Sequence, residues 1–478
     1  VKSRSAAPRP LVIHKFGGTS LAAADRIAAA AATIRKHAGR ERLVVVASAT
    51  SGTTNRLLDA AQQAENGKMG VWREIVEELR ETHLALARHF DKTAGRKNGS
   101  TDRVVDHLVR ELETILSGIS LLRELSERSR DAVASFGERL SVPILAAAFR
   151  SAGLEAVDVD ARRIIRTDDR HGRATADLEA SSAGARRVLL PIIAKGVLPV
   201  VTGFIASGPQ GTTTTLGRSG SDTTAAILGA VLSAKRIVIW TDVDGVLTAD
   251  PRLVPHARLL SRLTYREAAE LTYFGAKVLH FPAMIPAITA QIPIVVRNSF
   301  RPQVAGTVID AKGSGKATGI AAVTVIRGLA TVSLEGKGIV GVPGIAARAF
   351  SAVATEKVSV LMFSQASSEQ NICLVIPEED RTRSLRALRE EFATEISLGK
   401  LDGVSAHGPV AAVAAVGEGM RGTPGIAARV FSALASAKIN IEAIAQGSSE
   451  VNISIIVEDR EAGRAVTAIH DLCIVPAH

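Results

Sequence analysis

Lys15-Phe16-Gly17-Gly18-Thr19-Ser20 follows the apolar run Leu11-Val12-Ile13 and precedes an alanine-rich segment with helical character from about Leu21 to Lys36. A strand runs into a double glycine, and a hydroxyl pair then opens a helix. Such a turn aims backbone N–H groups and a helix N-terminus at an anion. Glycines without side chains let the oxygens of that anion approach the backbone, and the lysine adds a mobile positive charge. An ordinary tight turn capped by Thr19 or Ser20 is the plainer reading of the same residues. The chain carries neither Gly-x4-Gly-Lys-Ser/Thr nor a Gly-x-Gly-x-x-Gly that opens a helix, so a P-loop and a Rossmann dinucleotide site are both unsupported.

Working outward, strands alternate with helices through the first half, the pattern of an α/β layer fold. Leu43 to Ala47 is a second apolar strand, ending in Ser48-Ala49-Thr50-Ser51-Gly52-Thr53-Thr54-Asn55. Ser135-Phe136-Gly137-Glu138 opens a helix and puts a carboxylate in its first turn. Leu198 to Ile205 leads to Thr213-Thr214-Thr215-Leu216-Gly217-Arg218-Ser219-Gly220-Ser221-Asp222 and another helix. Ile237-Val238-Ile239-Trp240 runs into Thr241-Asp242-Val243-Asp244-Gly245-Val246-Leu247, then Asp250-Pro251-Arg252. Ligands collect at the carboxyl ends of strands in open parallel sheets, so these loops together suggest a nucleotide-plus-acid site. Residues from about Gly70 to Leu125 read as a charged helical hairpin without chemistry of its own. His83, His89 and His107 lie there, and with no ligand spacing around them they read as solvated.

An internal repeat organises the second half. Gly341-Val342-Pro343-Gly344-Ile345-Ala346-Ala347-Arg348 recurs as Gly422-Thr423-Pro424-Gly425-Ile426-Ala427-Ala428-Arg429. The match continues through Gln365-Ala366-Ser367-Ser368-Glu369 and Gln446-Gly447-Ser448-Ser449-Glu450. Each copy holds a helix with one apolar face (Ile345, Ala349, Val353; Ile426, Val430, Leu434), flanked by short apolar strands. Strand, helix, strand, strand, helix is a split βαβ unit, the ferredoxin-like topology. A polar hairpin turn does not need glutamine in particular, so the twice-repeated Gln-x-Ser-Ser-Glu reads as a binding module for a small polar ligand.

Composition excludes several classes. The chain has 478 residues, 46% apolar and 22% charged, which is globular material for more than one domain. Its net charge is +10, but the basic residues are dispersed and aromatics are only 3%, so nucleic-acid binding is not expected. A protein handling small anions explains the charge equally well. No apolar run approaches a spanning helix and the N-terminus lacks a signal-peptide pattern, so neither a membrane partner nor export is expected. Residues 1–10 read as a loose tail. Cys373 and Cys473 read as buried, reduced thiols of a cytoplasmic protein.

Taken together, these motifs resemble aspartate kinase. The resemblance rests on Lys-Phe-Gly-Gly-Thr-Ser, Ser-x-x-x-Gly-x-Thr-Asn, Phe-Gly-Glu, Thr-Leu-Gly-Arg-x-Gly-Ser-Asp, Thr-Asp-Val-Asp-Gly-Val and Phe274-Gly275-Ala276-Lys277-Val278-Leu279-His280. The repeats look like its paired ACT regulatory domains, and the pattern is most similar to the kinase part of the fused aspartate kinase–homoserine dehydrogenases. One departure is Leu279-His280-Phe281-Pro282, where the family usually has Leu-His-Pro-Arg. The resemblance implies an amino-acid-kinase domain over 11–310 with a helical insertion at about 65–130. A linker at 311–327 and ACT domains at 328–402 and 409–478 would follow.

The reaction it implies is transfer of the ATP γ-phosphoryl group to the β-carboxylate of L-aspartate, the first step of lysine, threonine and methionine biosynthesis. Lys15 and Asp222 would be catalytic. Ser48, Thr54, Glu138, Arg218 and Ser221 would hold aspartate, with Arg218 on its α-carboxylate and Glu138 on its ammonium. Lys15, Gly17, Gly18, Thr241, Asp242, Leu247, Arg252 and Lys277 would line the ATP site, with Mg²⁺ arriving on the nucleotide and no protein metal site. Gln365, Ser367, Gln446 and Ser448 would bind a regulatory amino acid, threonine rather than lysine, in a homodimer or larger homo-oligomer. Two competing readings are a kinase for another acidic amino acid and a catalytically silent amino-acid sensor.

Overall fold

Strand β1 (Leu11–Phe16) is buried along its whole length, as a strand covered on both faces of a parallel sheet must be. The computed structural model describes residues 9–94, 100–275, 279–314, 319–337, 342–365 and 371–474. They fall into two compact units, one of residues 1–246, 261–263 and 280–313, the other of residues 247–260, 264–279 and 314–478.

The first unit is built on two sheets. Its strands are β1, β2 (Arg42–Ala47), β3 (Ala156–Val159), β4 (Arg166–Thr167), β5 (Ala176–Asp177), β6 (Leu198–Thr202), β7 (Ile205–Ser207), β8 (Thr213–Thr215), β9 (Arg236–Thr241), β10 (Arg262–Thr264), β11 (Ile294–Asn298) and β12 (Thr307–Asp310). The large sheet runs β10-β12-β11-β9-β1-β2-β6-β3, and a small one β5-β4-β7-β8. From β11 to β3 every pairing is parallel, and β12 pairs antiparallel with β11. The loops after β1, β2, β6, β9 and β11 therefore open on one edge, the carboxyl ends of the parallel strands.

Two local expectations change. Gly18–Leu21 forms a single 3₁₀ turn with Gly17 as its N-cap, and the helix begins only at Ala24, running to Ala38. The Ser20 hydroxyl donates to Ser299 Oγ at 2.8 Å and so ties two loops rather than capping a helix. The helices Glu127–Ala134 and Phe136–Ser151 together are long and apolar enough to span a membrane, contrary to the sequence expectation. Their apolar window is 89% buried inside the protein, which marks a core helix pair.

In the second unit one sheet serves both repeats. Its strands are β13 (Ala322–Glu335), β14 (Met362–Gln365), β15 (Asn371–Pro377), β16 (Gly403–Val416), β17 (Ala443–Gln446) and β18 (Asn452–Glu458), in the order β14-β15-β13-β16-β18-β17. The long strands β13 and β16 pair antiparallel, with register shifts between Ile326 and Thr331. On one side of that break Val323, Val413 and Ala415 pack with Ile426, Val430 and Leu434. On the other, Ala330, Val332 and Leu334 pack with Ile345, Ala349 and Val353. Residues 322–327, read from sequence as linker, are thus a strand of the second repeat's core, and residues 403–407 pair with the first repeat's half of β13. Each repeat borrows its fourth strand from the other. Residues 247–260 and 264–279, read as part of the kinase domain, also belong to this unit.

Both repeat helices start at a glycine in the left-handed region, Gly344 at φ 92° and Gly425 at φ 86°. That conformation, open to glycine at no steric cost, is why Pro-Gly stands at the same place in each copy.

Candidate active site

Lys15, near the end of β1, extends its Nζ to 2.6 Å from Asp222 Oδ1, and both side chains are nearly buried. Asp222 sits in the first turn of the helix Gly220–Val231, whose N-cap Ser219 has a φ of 57°. Two glycines make this junction possible. A Cβ on Gly18 would lie 3.0 Å from the Ala49 carbonyl, and one on Gly203 would lie 2.5 Å from Ser221 Cβ. The ion pair, the Gly17-Gly18 turn and Ser221 therefore meet because three loops approach more closely than side chains allow.

Glu138 lies in the first turn of Phe136–Ser151 and is 3% exposed. Its Oε1 accepts the Ala49 N–H at 3.0 Å, while Oε2 is buried with no hydrogen-bond partner among the described residues. Burial pushes its carboxyl up to about 8, against the pull of the Ala49 N–H and the Lys15 charge. A dry carboxylate with one oxygen unmatched is a receptor for a cationic group.

The loop after β2 is fixed from beneath. Ser141 Oγ donates to the Ser48 carbonyl at 2.8 Å, and Thr50 Oγ1 lies 2.6 Å from Thr53 Oγ1 and 3.2 Å from His83 Nε2. His83 Nδ1 is 2.7 Å from the Leu79 carbonyl, so that nitrogen carries the hydrogen and Nε2 accepts from Thr50. His83 is fully buried, and burial holds its imidazole below the ordinary range. The reading of His83 as solvated is corrected: the helix Met69–Thr93 turns it inward to support the polar loop. Thr54 is half-buried in the same loop.

Arg218 is exposed between Gly217, at φ 71°, and Ser219, with no ion pair among the described residues. It is free to take an anion. His280 faces the same charges. Burial lowers its imidazole, Arg218 adds to that and Asp222 opposes it, and its buried Nδ1 has no hydrogen-bond partner among the described residues. His280 is a site neighbour the sequence reading left out, although it closes the motif that begins at Phe274.

Thr241 ends β9 beside β1, and its Oγ1 donates to Asp242 Oδ1 at 3.1 Å. The Thr241 carbonyl accepts from Ser299 N at 2.8 Å and Ser299 Oγ at 3.1 Å, and Asn298 Nδ2 donates to Asp244 Oδ1 at 2.7 Å. Asn298 and Ser299 were also missed. The signal was there, since they end the apolar strand β11 in the way Thr241 ends β9. Leu247 and Arg252 fall in the second unit, Leu247 bridged to Leu259 and Arg252 exposed and paired with Asp250 at 2.6 Å. Lys277 and Ser367 lie outside the described residues. Gln365 and Gln446 are exposed at the ends of β14 and β17, which approach each other although they stand at opposite ends of the strand order. Ser448 is exposed just beyond Gln446.

The profile of the amino acid kinase family matches residues 10–298, and that of the ACT domain matches 332–392 and 413–472. An aspartokinase of Schizosaccharomyces pombe is 33% identical over 494 residues, covering 97% of this chain and 93% of that protein. The chain belongs to the aspartokinase family. The bifunctional aspartokinase/homoserine dehydrogenase 1 of Arabidopsis thaliana is 38% identical over 464 residues, 96% of this chain. The chain spans 50% of that relative's length. Aspartokinase III of Escherichia coli, solved with aspartate and ADP, superposes with a TM-score of 0.76 at 30% identity, covering 96% of this chain and 99% of that one. Solved with lysine and aspartate, it gives a TM-score of 0.78 at 31% identity over the same shares. The α/β kinase unit followed by ACT repeats is therefore the fold expected from the motifs.

Proposed function

We propose that the chain transfers the γ-phosphoryl group of ATP to the β-carboxylate of L-aspartate, giving 4-phospho-L-aspartate and ADP. The observation that carries this is the Lys15–Asp222 ion pair at the Gly17-Gly18 turn, together with the unmatched Glu138 Oε2. A carboxylate with a pKa of about 3.9 is already ionised at neutral pH, so the nucleophile needs no general base. One β-carboxylate oxygen forms the new bond to the γ-phosphorus as the bond to the bridging oxygen of ADP breaks, and no proton moves. The protein's task is positioning and charge neutralisation. Lys15 stabilises the transferring oxygens and Asp222 orients Lys15. Arg218 takes the α-carboxylate, Glu138 the ammonium, and Ser48, Thr54 and Ser221 complete the aspartate pocket. Hard oxygen donors such as Asp222 and Asp242 suit Mg²⁺ carried on the nucleotide phosphates, where the ion supplies further charge neutralisation.

For regulation we place threonine, with lysine the alternative, at Gln365 and Gln446, and we expect a homo-oligomer joined through the ACT sheet. The test is ADP release with aspartate and ATP in the wild type and Lys15→Ala. The variant should bind aspartate while its kcat falls at least about 10²-fold to 10³-fold, the usual loss for one electrostatic stabiliser. Turnover retained by Lys15→Ala would remove Lys15 from the chemistry.

A further inference from the structure

His256, His470 and Asp471 converge in the second unit. His256 Nε2 lies 2.8 Å from Asp471 Oδ1, and His470 Nδ1 lies 3.3 Å from the same oxygen. The donor atoms of all three side chains are within 4.8 Å of one another. Ligands about 2.0–2.2 Å from a tetrahedral zinc ion stand roughly 3.3–3.5 Å apart, so His470 and Asp471 already fit, while His256 must shift by about half an ångström from Asp471 and by no more than about 1.5 Å relative to His470.

The surroundings are those of a ligand set. His470 is fully buried, and its other ring nitrogen, Nε2, is 2.9 Å from Thr248 Oγ1. Thr248 Oγ1 in turn accepts the Arg258 N–H at 2.9 Å. Without an ion the Asp471 carboxylate accepts from Nδ1–H, and a cation there would take that proton's place, the ring switching to the tautomer in which Nε2–H donates to Thr248 and Nδ1 coordinates. His256 and Asp471 have half-exposed side chains, at 54% and 50%, which leaves an entry path and a fourth position for water. The Arg258 side chain, the nearby cation, is engaged with the Ile474 carbonyl at 3.2 Å.

The other His-rich cluster, His14, His37 and Glu41, lacks this freedom. Trp240 Nε1 donates to His14 Nδ1, and Arg236 occupies Glu41. We propose that His256, His470 and Asp471 form a binding site for a zinc-type divalent cation. It would tie the segment Leu247–Leu260 to the last helix of the second ACT repeat, Ala462–Cys473. Two imidazoles and a carboxylate select zinc or a neighbouring transition metal over magnesium or calcium.

The test uses the tag-free full chain, stripped with chelator and titrated with Zn²⁺ by calorimetry and with Co²⁺ by visible absorption. The wild type should bind one ion per chain, show Co²⁺ bands free of thiolate charge transfer, and melt at higher temperature with Zn²⁺. His256→Ala, at an exposed position, should fold normally yet bind at least about 100-fold more weakly and lose the thermal shift. Thr248→Val should weaken binding by about 10-fold to 100-fold by removing the orienting bond to His470 and the acceptor of the Arg258 N–H. No stoichiometric Zn²⁺, or binding that His256→Ala leaves unchanged, overturns the site.

Discussion

Glu138 is a carboxyl group held in a dry site with one oxygen matched and one not, and its titration is the sharpest residue-scale handle on the proposed reaction. With its carboxyl raised to about 8, it is protonated in the free protein at pH 7. Gripping the aspartate ammonium requires the ionised form, so binding at pH 6–7 expels a proton. Aspartate affinity should rise close to tenfold per pH unit up to about pH 8 and then level off, the slope of a one-proton linkage. Calorimetry in two buffers of different ionisation enthalpy reads that proton directly, and Glu138→Gln should lose both the proton and most of the affinity. The stability sign follows from the same shift. A folded value above the unfolded one favours folding at low pH, and the advantage is lost as pH rises through about 8. Wild type should therefore lose stability against Glu138→Gln between pH 6 and pH 9 in urea melts.

At the element scale the site depends on how closely strand ends and helix starts approach. Gly203 follows β6, and its place beside Ser221 leaves no room for a methyl group. Ser221 is in the first turn of a helix, so the obstacle is a rigid element and not a flexible side-chain end. Gly203→Ala should cost about 1–3 kcal/mol, the usual range for overpacking, read as a lower urea midpoint. Because the displaced turn also carries Asp222, kcat should fall together with a rise in the KM for aspartate. An unchanged KM would mean the helix start can move without disturbing the substrate loops.

For the whole molecule, the interlocked repeats set the expectation. β13 and β16 each run through both ACT cores, so neither half can lose its long strands without exposing the other's apolar face. Leu334→Ala removes a fully buried side chain from the first core and should cost about 2–5 kcal/mol. Hydrogen exchange should then accelerate in the second repeat as well, in β16 and β18. Acceleration confined to the first repeat would show that the two fold as separate units. The same continuity is a route for effector action, provided the effector binds one arrangement of the sheet better than another. Threonine titration should change ADP release in the wild type, and Gln446→Ala should blunt that response; lysine run in parallel decides between the two amino acids.

Patterns local in the chain were legible without coordinates. The strand–Gly-Gly–helix order at Lys15, the polar ends of β2 and β9, and the helical faces of Ile345 and Ile426 follow from periodicity and turn chemistry, which act over a few residues. The paired Pro-Gly glycines were visible too, because their backbone demand is local. What sequence left open depends on contacts between distant segments. Whether Lys15 faces Asp222, whether Glu138 has one oxygen or two satisfied, and whether His83 points to water or to Thr50 are set by packing. So is the exchange of strands between repeats, since an apolar run such as 322–326 satisfies any partner of the right period. The residues named the chemistry the chain can attempt. Tertiary structure decided which of them meet, and burial decided their charge.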